Sequence, residues 1–313
     1  MPDNLVEEGS DAVETAHLGP LPPTLGPSNY TGQNDNTQPG IMFVNGNEAG
    51  QVYLLDAPRI EVGRAQSCRI KLGDNSVSRR HLLIETTPDG VEVFDLKSRN
   101  GVFVNNRQIK RCWLTPNDII RLGPSVILRY ALFSNVELEV YKKMYQAATL
   151  DPLTQTYNRR YFNNYLEQVQ TLQPLKKNFS LILIDVDHFK RINDRFGHQT
   201  GDRILLHIAD ILRSTVRVED VVCRYGGEEF TVLLNAISAR QSAEIAENIR
   251  NNVECTPLRQ ENLAIHSTVS IGIAMIEETD GDLDNLLKLA DTRMYAAKKS
   301  GRNLVGTGLI KLK

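Results

Sequence analysis

The hydrophobic pattern changes near residue 134, and this change constrains the fold more than any other feature of the chain. From residue 41 to about residue 133, short apolar and β-branched runs alternate with turn signals such as NGN, GDNS, PDG and RNG. Seven or more short strands at this spacing predict a β-sandwich. Over residues 151–313, helical patterns alternate with strand-like runs, which predicts an α/β or α+β domain with mixed strand pairing. The predicted helices span residues 159–172, 202–216, 238–252 and 282–299. Two domains suit a chain of 313 residues.

The flanking and connecting segments have different compositions. Residues 1–40 contain six acidic residues, six prolines and no Lys or Arg. We expect a disordered acidic tail there, because such a segment buries too little apolar surface to offset its ordering entropy. Residues 134–150 place apolar residues at helical spacing among charged ones, which predicts a helix joining the domains. A plain amphipathic helix and a short coiled coil between two copies both account for this pattern.

Composition excludes several classes of protein. The four cysteines contain no CxxC pair, so neither a zinc spacing nor a disulfide framework is indicated. The acidic N-terminus lacks the apolar core of a signal peptide, and no apolar run approaches the roughly 18–20 residues of a membrane span. Outside the tail, 36 basic residues face 32 acidic ones, which weakly favours phosphate ligands. We expect a cytoplasmic protein with neither membrane nor nucleic-acid partners.

Three loops of the predicted sandwich carry residues suited to a phosphate. They are Gly63–Arg64, Ser78–His81 and Ser98–Gly101, each at or shortly after a strand-like run. A phosphate with a charge near −2 favours a guanidinium with bidentate geometry and a hydroxyl donor. The three-part pattern GR…SxxH…NG resembles the forkhead-associated (FHA) family over residues 42–133.

This resemblance implies a phosphothreonine-peptide binder. The implied ligand contacts are made by Arg64, Ser78, Arg79, Arg99 and Asn100, the first two at the phosphate and the last through its backbone. His81 is expected to brace the loops and not to contact the ligand. The domain would thus read the product of a Ser/Thr kinase.

The phosphopeptide has two possible sources, a partner protein or the chain's own tail. Thr15 and Thr24 are candidate phosphosites in the tail, and Thr15 follows acidic residues and has Leu18 three positions later. A tethered tail reaches an effective concentration on the order of millimolar, so even weak self-binding would be substantial. Docking in cis or on a second copy, and a passive tail with external ligands, both remain open.

Two acidic segments of the second domain would converge if their strands are neighbours. The run LILIDVDHF ends with Asp185, Val186 and Asp187, and RYGGEEF at 224–230 places two glycines before Glu228 and Glu229. Taken alone, the glycine pair indicates a tight hairpin turn with solvated charges. Converging carboxylates suit Mg²⁺, which joins one or two of them to substrate phosphates. Glycines without side chains let the backbone lie against a triphosphate.

Several motifs extend this pattern along the domain. They are DPLT at 151–154, DVDHFKRIND…GHQTGD at 185–202, RYGGEEF at 224–230 and DTRMYAAKKSGRN at 291–303. Together they resemble the GGDEF family of diguanylate cyclases, with Glu at the variable third position of the hairpin. The resemblance implies a nucleotide-cyclase-like fold and a homodimer that condenses two GTP into cyclic di-GMP with release of two pyrophosphates.

The resemblance also implies roles for individual residues. Asp185, the Val186 carbonyl and Glu228, assisted by Glu229, would hold Mg²⁺ or Mn²⁺, and the three carboxylates would serve catalysis. Three groups of residues would bind the substrate. Asn193 and Asp202 would contact the guanine, and Gly226 and Gly227 would lie at the turn. The phosphates would be held by Lys298, Arg302 and the backbone near Phe189 and Lys190.

A product-inhibition site is implied by RVED upstream of the hairpin. Arg217 and Asp220 match RxxD, with five residues between Asp220 and Gly226. Where some members carry a second arginine, this chain has Asn248, with Arg250 nearby. Two alternatives to an active cyclase are a catalytically silent receptor for GTP or cyclic di-GMP and a phospho-dependent scaffold.

Overall fold

A computed structural model describes residues 37–46, 48–172, 179–260 and 263–308. The candidate phosphosites Thr15 and Thr24 lie outside the described residues, as do residues 1–36 of the expected tail. Within the described ranges, no helix combines the length and the apolar character needed to cross a membrane.

The N-terminal domain consists of short strands in two sheets. The strands are β1 (Thr37–Phe43), β2 (Val52–Leu54), β3 (Arg59–Gly63), β4 (Ile70–Lys71), β5 (Leu82–Thr87), β6 (Gly90–Asp95), β7 (Val102–Val104), β8 (Arg107–Ile109), β9 (Arg111–Trp113), β10 (Ile119–Leu122) and β11 (Val126–Ser134). One sheet has the order β2-β1-β11-β10-β7-β8 and the other β4-β3-β5-β6-β9. Ile41 and Leu128 from the first sheet share one apolar core with Val62 and Ile84 from the second, so the predicted β-sandwich is confirmed.

The last strand of the sandwich leads directly into helix α1 (Asn135–Thr149). Ser134 ends β11 and also caps α1: its Oγ accepts from the Glu137 amide at 3.2 Å, and its own amide donates to the Glu137 carboxylate at 2.8 Å. This capping box satisfies N–H groups that the first turn of a helix leaves unpaired. At the other end, the Asn158 side chain donates to the Ala148 carbonyl at 3.0 Å. The helix predicted between the domains is therefore present and anchored at both ends.

The C-terminal domain has a six-stranded sheet with the order β12-β14-β15-β13-β18-β19. Its strands are β12 (Tyr157–Asn158), β13 (Phe179–Val186), β14 (Val221–Gly226), β15 (Glu229–Asn235), β18 (Val269–Met275) and β19 (Val305–Gly306), and a separate antiparallel pair is β16 (Leu258–Gln260) and β17 (Leu263–Ile265). Its helices are α2 (Arg159–Leu172), α3 (Phe189–Phe196), α4 (His198–Thr215), α5 (Ala239–Cys255) and α6 (Leu283–Lys299). The central strands pair antiparallel and both edge strands pair parallel, so the predicted mixed pairing is confirmed.

Strand β13 is buried on both faces because helices cover both sides of the sheet. Ile182 and Ile184 belong to an apolar cluster with α4 and α5, whereas Leu181 and Leu183 belong to a cluster with α2 and α6. Successive side chains of a strand point to opposite faces. Asp185 therefore continues the face that is covered by α6, and this determines its partner.

The helices predicted over 159–172, 238–252 and 282–299 are observed, with ends that differ by at most three residues. The predicted start of the helix at Asp202 is wrong, because α4 begins at His198. Gly197, with φ 85°, is both the C-cap of α3 and the N-cap of α4, so one helix follows the other without a capping side chain. A positive φ at this reversal favours glycine.

Candidate functional site

The end of β13 and the β14–β15 hairpin bring the two acidic segments together. Asp185 pairs in register with Glu229 across neighbouring antiparallel strands, and the Val186 amide donates to the Glu228 carbonyl at 3.3 Å. Directly opposed residues of antiparallel strands have Cβ atoms about 5 Å apart. Segments more than forty residues apart in the sequence thus form one acidic edge.

The glycine pair lies at the outer end of this edge. Gly227 has φ 51°, which favours glycine, and a Cβ built on either Gly226 or Gly227 meets no atom within 4 Å. Both glycines are exposed. The turn therefore has open space in front of it, into which a bulky group can approach the backbone.

Lys298 supplies a positive charge to the acidic edge. Its Nζ lies 2.7 Å from Asp185 Oδ2, and it reaches there from the last turn of α6, which covers this face of β13. Burial raises the pKa of Asp185, and the hydrogen bond and charge of Lys298 oppose that shift. Burial and the neighbouring Asp185 charge raise the pKa of Glu229. The edge thus concentrates negative charge in a partly desolvated place, where a cation is already in contact with it.

Arg224 holds the hairpin turn, a role that the sequence did not reveal. Its guanidinium donates to the Gly227 carbonyl at 3.0 and 2.9 Å and to the Asp151 carboxylate at 3.1 and 3.3 Å. Asp151 also accepts from the Thr154 amide and hydroxyl, each at 2.8 Å. The DPLT and RYGGEEF motifs are therefore two ends of one polar bridge, hereafter the hairpin bridge (Asp151, Arg224 and the Gly227 carbonyl).

A second group of predicted residues lies where α3 meets α4. Asn193 packs against Gly201 so closely that a Cβ on Gly201 would overlap its amide oxygen and lie 2.9 Å from its Cγ. That oxygen is buried and has no hydrogen-bond partner among the described residues. Asp202 lies on the same helix as Gly201, one residue further along, and is exposed. The pair offers hydrogen-bond acceptors, one of them unsatisfied.

Phe189 and Lys190 are the first two residues of α3, so their backbone N–H groups have no partner one turn earlier in the helix. Lys190 is exposed. Arg302 is exposed in the turn after α6 and has φ 66°. Lys298 contacts Asp185, and the residue after Arg302 donates its amide to Asp187, so the end of α6 and the start of α3 both lie near the carboxyl end of β13.

Upstream of the hairpin, Arg217 and Asp220 lie in one turn. Arg217 is exposed, whereas Asp220 is buried and accepts from the Arg217 and Asn235 amides, each at 3.0 Å. Burial raises the pKa of Asp220 although these hydrogen bonds oppose the shift. The carboxylate therefore shapes the turn, and Arg217 is the exposed member of the pair.

The three polar loops of the sandwich meet around a buried histidine. The Ser78 amide donates to His81 Nδ1 at 3.0 Å, so Nδ1 is the acceptor and Nε2 carries the hydrogen that is donated to the Gly101 carbonyl at 3.1 Å. Burial lowers the pKa of His81, in agreement with a neutral ring. The Ser78 hydroxyl accepts from the Arg99 amide at 2.9 Å, which leaves its own hydrogen to donate outward.

The other predicted ligand contacts surround this centre. Arg64, Arg79, Arg99 and Asn100 are exposed. The Arg64 amide donates to the Ser78 carbonyl at 3.0 Å, and the Asn100 side chain donates to the Ser76 carbonyl at 2.7 Å. A Cβ on Gly63 would overlap the Arg79 carbonyl, so glycine permits this close approach of the loops. The loops thus present cations and a hydroxyl on one surface.

Comparisons with known proteins agree with both halves of the chain. The family model described as diguanylate cyclase, GGDEF domain, matches residues 148–304, half of the chain, and the FHA domain model matches residues 60–123. The probable diguanylate cyclase DgcT of Escherichia coli is 37% identical over 189 residues, which cover 60% of this chain and 40% of DgcT. The response regulator PleD of Caulobacter vibrioides is 35% identical over 216 residues, which cover 64% of this chain and 46% of PleD.

A solved structure of the coiled coil and GGDEF domain of DgcB from Caulobacter crescentus, in complex with c-di-GMP, superposes with a TM-score of 0.50 at 30% identity. It covers 54% of this chain and 90% of that one. The chain matches less than half the length of the two curated relatives above. The chain belongs to the GGDEF family and carries an FHA domain before its GGDEF domain.

Proposed function

We propose that the C-terminal domain is a diguanylate cyclase, which condenses two GTP into cyclic di-GMP and releases two pyrophosphates. The observation that carries this proposal is the acidic edge, where Asp185 faces Glu229 in register beside Glu228 and the open glycine turn. The family membership and the names of the relatives support the same reaction.

The donors at the acidic edge fit a hard divalent cation. We assign the metal to Asp185, the Val186 carbonyl and Glu228, with Glu229 assisting, because carboxylate and carbonyl oxygens suit Mg²⁺ or Mn²⁺. Lys298 already places a cation 2.7 Å from Asp185, which indicates that this edge attracts positive charge. No group of three or more His, Cys, Asp and Glu within the described ranges could hold a metal by itself, so substrate phosphates would complete the site. When bound, the metal would activate the attacking hydroxyl and neutralise charge on the leaving pyrophosphate.

The remaining residues would hold one GTP. We assign Asn193 and the exposed Asp202 to the guanine, because amide and carboxylate oxygens accept hydrogen bonds from the N–H groups of a guanine edge. Lys298, Arg302 and the first N–H groups of α3 would bind the β- and γ-phosphates. Gly226 and Gly227 would let the backbone approach the triphosphate.

The reaction requires two such sites that face each other, because each holds one nucleotide. The 3′-hydroxyl of each GTP attacks the α-phosphorus of the other, each attack breaks one bond to pyrophosphate, and Glu228 is our candidate to accept the hydroxyl proton. Bringing the two nucleotides into alignment is worth up to about 7–11 kcal/mol of the barrier. Control of the dimer geometry would therefore control the rate.

Helix α1 is the surface that we assign to dimerisation. Val136, Val140 and Met144 are spaced four residues apart and are 74%, 49% and 62% exposed, so an apolar stripe follows one face of the helix. The solved DgcB structure contains a coiled coil with its GGDEF domain. Val140→Glu should weaken dimers in light scattering and lower turnover, whereas Gln146→Glu on another face should leave both unchanged. Equal dimerisation by the two variants would contradict the assignment.

We propose that the FHA domain regulates the cyclase by binding a phosphothreonine peptide, from the chain's own tail or from a partner protein. Phosphorylated peptides containing Thr15 or Thr24 should bind the full chain, and Arg64→Ala should abolish that binding. Arg80→Ala is the matched control, because Arg80 is paired with Glu61 at 2.7 Å and is not assigned to the ligand. Failure of both peptides to bind would exclude self-docking at these threonines.

We also propose feedback by cyclic di-GMP at Arg217 and Asp220. Arg250 cannot add a free guanidinium to that site in this structure, because it bonds Glu247, Glu254 and Asn303. The feedback site would therefore depend on Arg217 for its exposed cation.

The decisive experiment is incubation of the purified chain with GTP and Mg²⁺, followed by chromatography for cyclic di-GMP. Asp185→Ala and Glu228→Ala should abolish product while circular dichroism stays unchanged, and chelation of the metal should do the same. Glu244→Ala, an exposed site on α5, is the matched control. Product formed by both acidic-edge variants would refute the metal assignment, and a wild-type chain that binds cyclic di-GMP without making it would indicate a receptor.

A further inference from the structure

The turn that follows α6 holds Arg302 in a disfavoured backbone conformation. Gly301, Arg302 and Asn303 have φ values of 122°, 66° and 49° in succession. Residues with a Cβ rarely adopt positive φ, and such conformations persist where surrounding contacts hold them. Two adjacent residues of this kind require specific anchors.

The first anchor is the buried carboxylate of Asp187. Its Oδ2 accepts from the Asn303 amide at 3.0 Å and from the Thr268 hydroxyl at 2.8 Å, and its Oδ1 accepts from the Ser270 hydroxyl at 2.6 Å. Asp187 is 4% exposed. All three donors are neutral, so the carboxylate is satisfied by fixed dipoles, and one of them is the backbone of the strained turn.

The second anchor is Arg250, which reaches the same turn from α5. Its Nη1 donates to Asn303 Oδ1 at 2.9 Å. The Arg250 side chain is only 12% exposed and is held by ion pairs with Glu247 at 2.8 Å and Glu254 at 2.6 Å. Asn303 is therefore fixed through its backbone by one element and through its side chain by another.

These contacts place two phosphate-binding candidates relative to the end of β13. Asp185 binds Lys298 and Asp187, two residues later, binds the amide of Asn303, so consecutive carboxylates of DVD anchor the end of α6 and the turn beyond it. We propose that Asp187 is a positioning residue that holds Arg302 at the terminal phosphates of GTP, with Arg250 as its second support. This inference rests on the proposed function.

This assignment separates the two aspartates of DVD chemically. Asp185 keeps its contact with a cation at the acidic edge, whereas the oxygens of Asp187 are directed to three donors inside the fold. Asp187 therefore contributes to nucleotide binding through Arg302 and not as a metal ligand.

The test is a double-mutant cycle on nucleotide affinity in the full-length protein with Mg²⁺. The variants are Asp187→Asn, Arg302→Ala and their combination, and Asp210→Asn on an exposed face is the control. The probes are 3′-deoxy-GTP, which lacks the attacking hydroxyl, and GMP, which lacks the terminal phosphates. Asparagine keeps the size of the side chain and an oxygen acceptor, and Ser270 can accept from its amide group.

We expect Asp187→Asn to lower the affinity for 3′-deoxy-GTP about tenfold and to change the affinity for GMP by no more than about twofold. In the Arg302→Ala background, the loss of affinity for 3′-deoxy-GTP should approach a factor of one. Arg250→Met should produce the same selective loss, and it tests the idea independently if Asp187→Asn unfolds. Three results would overturn this inference while leaving the proposed function intact. They are unchanged 3′-deoxy-GTP affinity in both Asp187→Asn and Arg250→Met, equal losses of affinity for the two probes, and a loss that is just as large in the Arg302→Ala background. A wild-type chain that binds neither probe would refute the proposed function itself.

Discussion

Breaking the hairpin bridge should disable the proposed cyclase without changing any residue assigned to the metal. Arg224→Met removes the guanidinium that joins Asp151 to the Gly227 carbonyl while keeping an apolar side chain of similar length. Arg240→Met is the matched control, because the Arg240 side chain is 85% exposed and pairs with Glu244 at the surface of α5. Both variants lose a guanidinium, in Arg224→Met from a largely buried ion pair and in Arg240→Met from an exposed one.

The cost of the change follows from the burial of the pair. Arg224 and Asp151 side chains are each 17% exposed, so removing one partner leaves a largely desolvated carboxylate. Breaking a fully buried pair costs about 3–5 kcal/mol, and the remaining solvent access and the Thr154 donors reduce our expectation to about 2–3 kcal/mol. At 2–4 °C per kcal/mol for a domain of this size, the melting temperature should fall by about 4–12 °C. Arg240→Met should cost less than about 1 kcal/mol.

Activity should fall further than stability. The guanidinium makes two hydrogen bonds to the residue that precedes Glu228, and a displacement of about 1 Å at a reacting site can cost about 100-fold in rate. Turnover should be measured at saturating GTP, well below the melting temperature of each variant. An Arg224→Met protein that melts with the control and keeps wild-type turnover would refute the role of the bridge.

Four further predictions test other parts of the structure. Gly201→Ala should raise KM for GTP about tenfold or more with the fold retained, because its Cβ would overlap the Asn193 oxygen. Gly63→Ala should abolish phosphopeptide binding in calorimetry and cost about 1–3 kcal/mol, because its Cβ would overlap a loop carbonyl. Arg217→Ala should weaken inhibition by cyclic di-GMP without lowering the initial rate. Asp151→Asn should reduce the loss of the free energy of unfolding, measured by urea titration, that wild type shows as the pH falls from 7 to 3. Burial alone would raise the pKa of Asp151, but its hydrogen bonds outweigh burial and lower it.

The sign of the last prediction follows from linkage. Because the folded-state pKa of Asp151 is below its unfolded value near 3.9, its ionised form stabilises the fold above about pH 4, and this contribution is lost as the pH falls through the folded-state value. Identical acid limbs in wild type and variant would contradict it. An unchanged KM for GTP in Gly201→Ala, unchanged phosphopeptide binding in Gly63→Ala, or unchanged product inhibition in Arg217→Ala would contradict the respective assignment.

The acidic edge could be predicted because short-range patterns carry it. The continuous apolar run before Asp185 indicates a buried strand, and the glycine pair before Glu228 indicates a hairpin, so only their adjacency had to be assumed. The start of α4 at His198 could not be predicted, because Gly197 replaces the polar cap that usually announces a helix.

The other features that could not be predicted from the sequence are hydrogen bonds between residues that lie far apart in the chain. Arg224 and Asp151 are 73 residues apart, and Asp187 lies 81 residues from Thr268 and 116 from Asn303. None of these three separations produces a periodic signal, and a carboxylate that binds neutral donors has no charged partner to search for in the sequence. The sequence therefore assigns a role to Asp185 and none to Asp187, whereas the fold gives the buried Asp187 carboxylate three hydrogen bonds.

The continuity of β11 with α1 has a consequence for signalling. No glycine or proline interrupts residues 126–150, and the capping box at Ser134 joins strand to helix without an intervening loop. A torque applied to the sandwich would consequently rotate α1 about its own axis, because the junction between β11 and α1 has no glycine or proline at which the helix could bend. In the proposed dimer, the proposed binding of a phosphopeptide would then change the rotation angle of α1, and the two facing catalytic domains would gain or lose alignment by twisting.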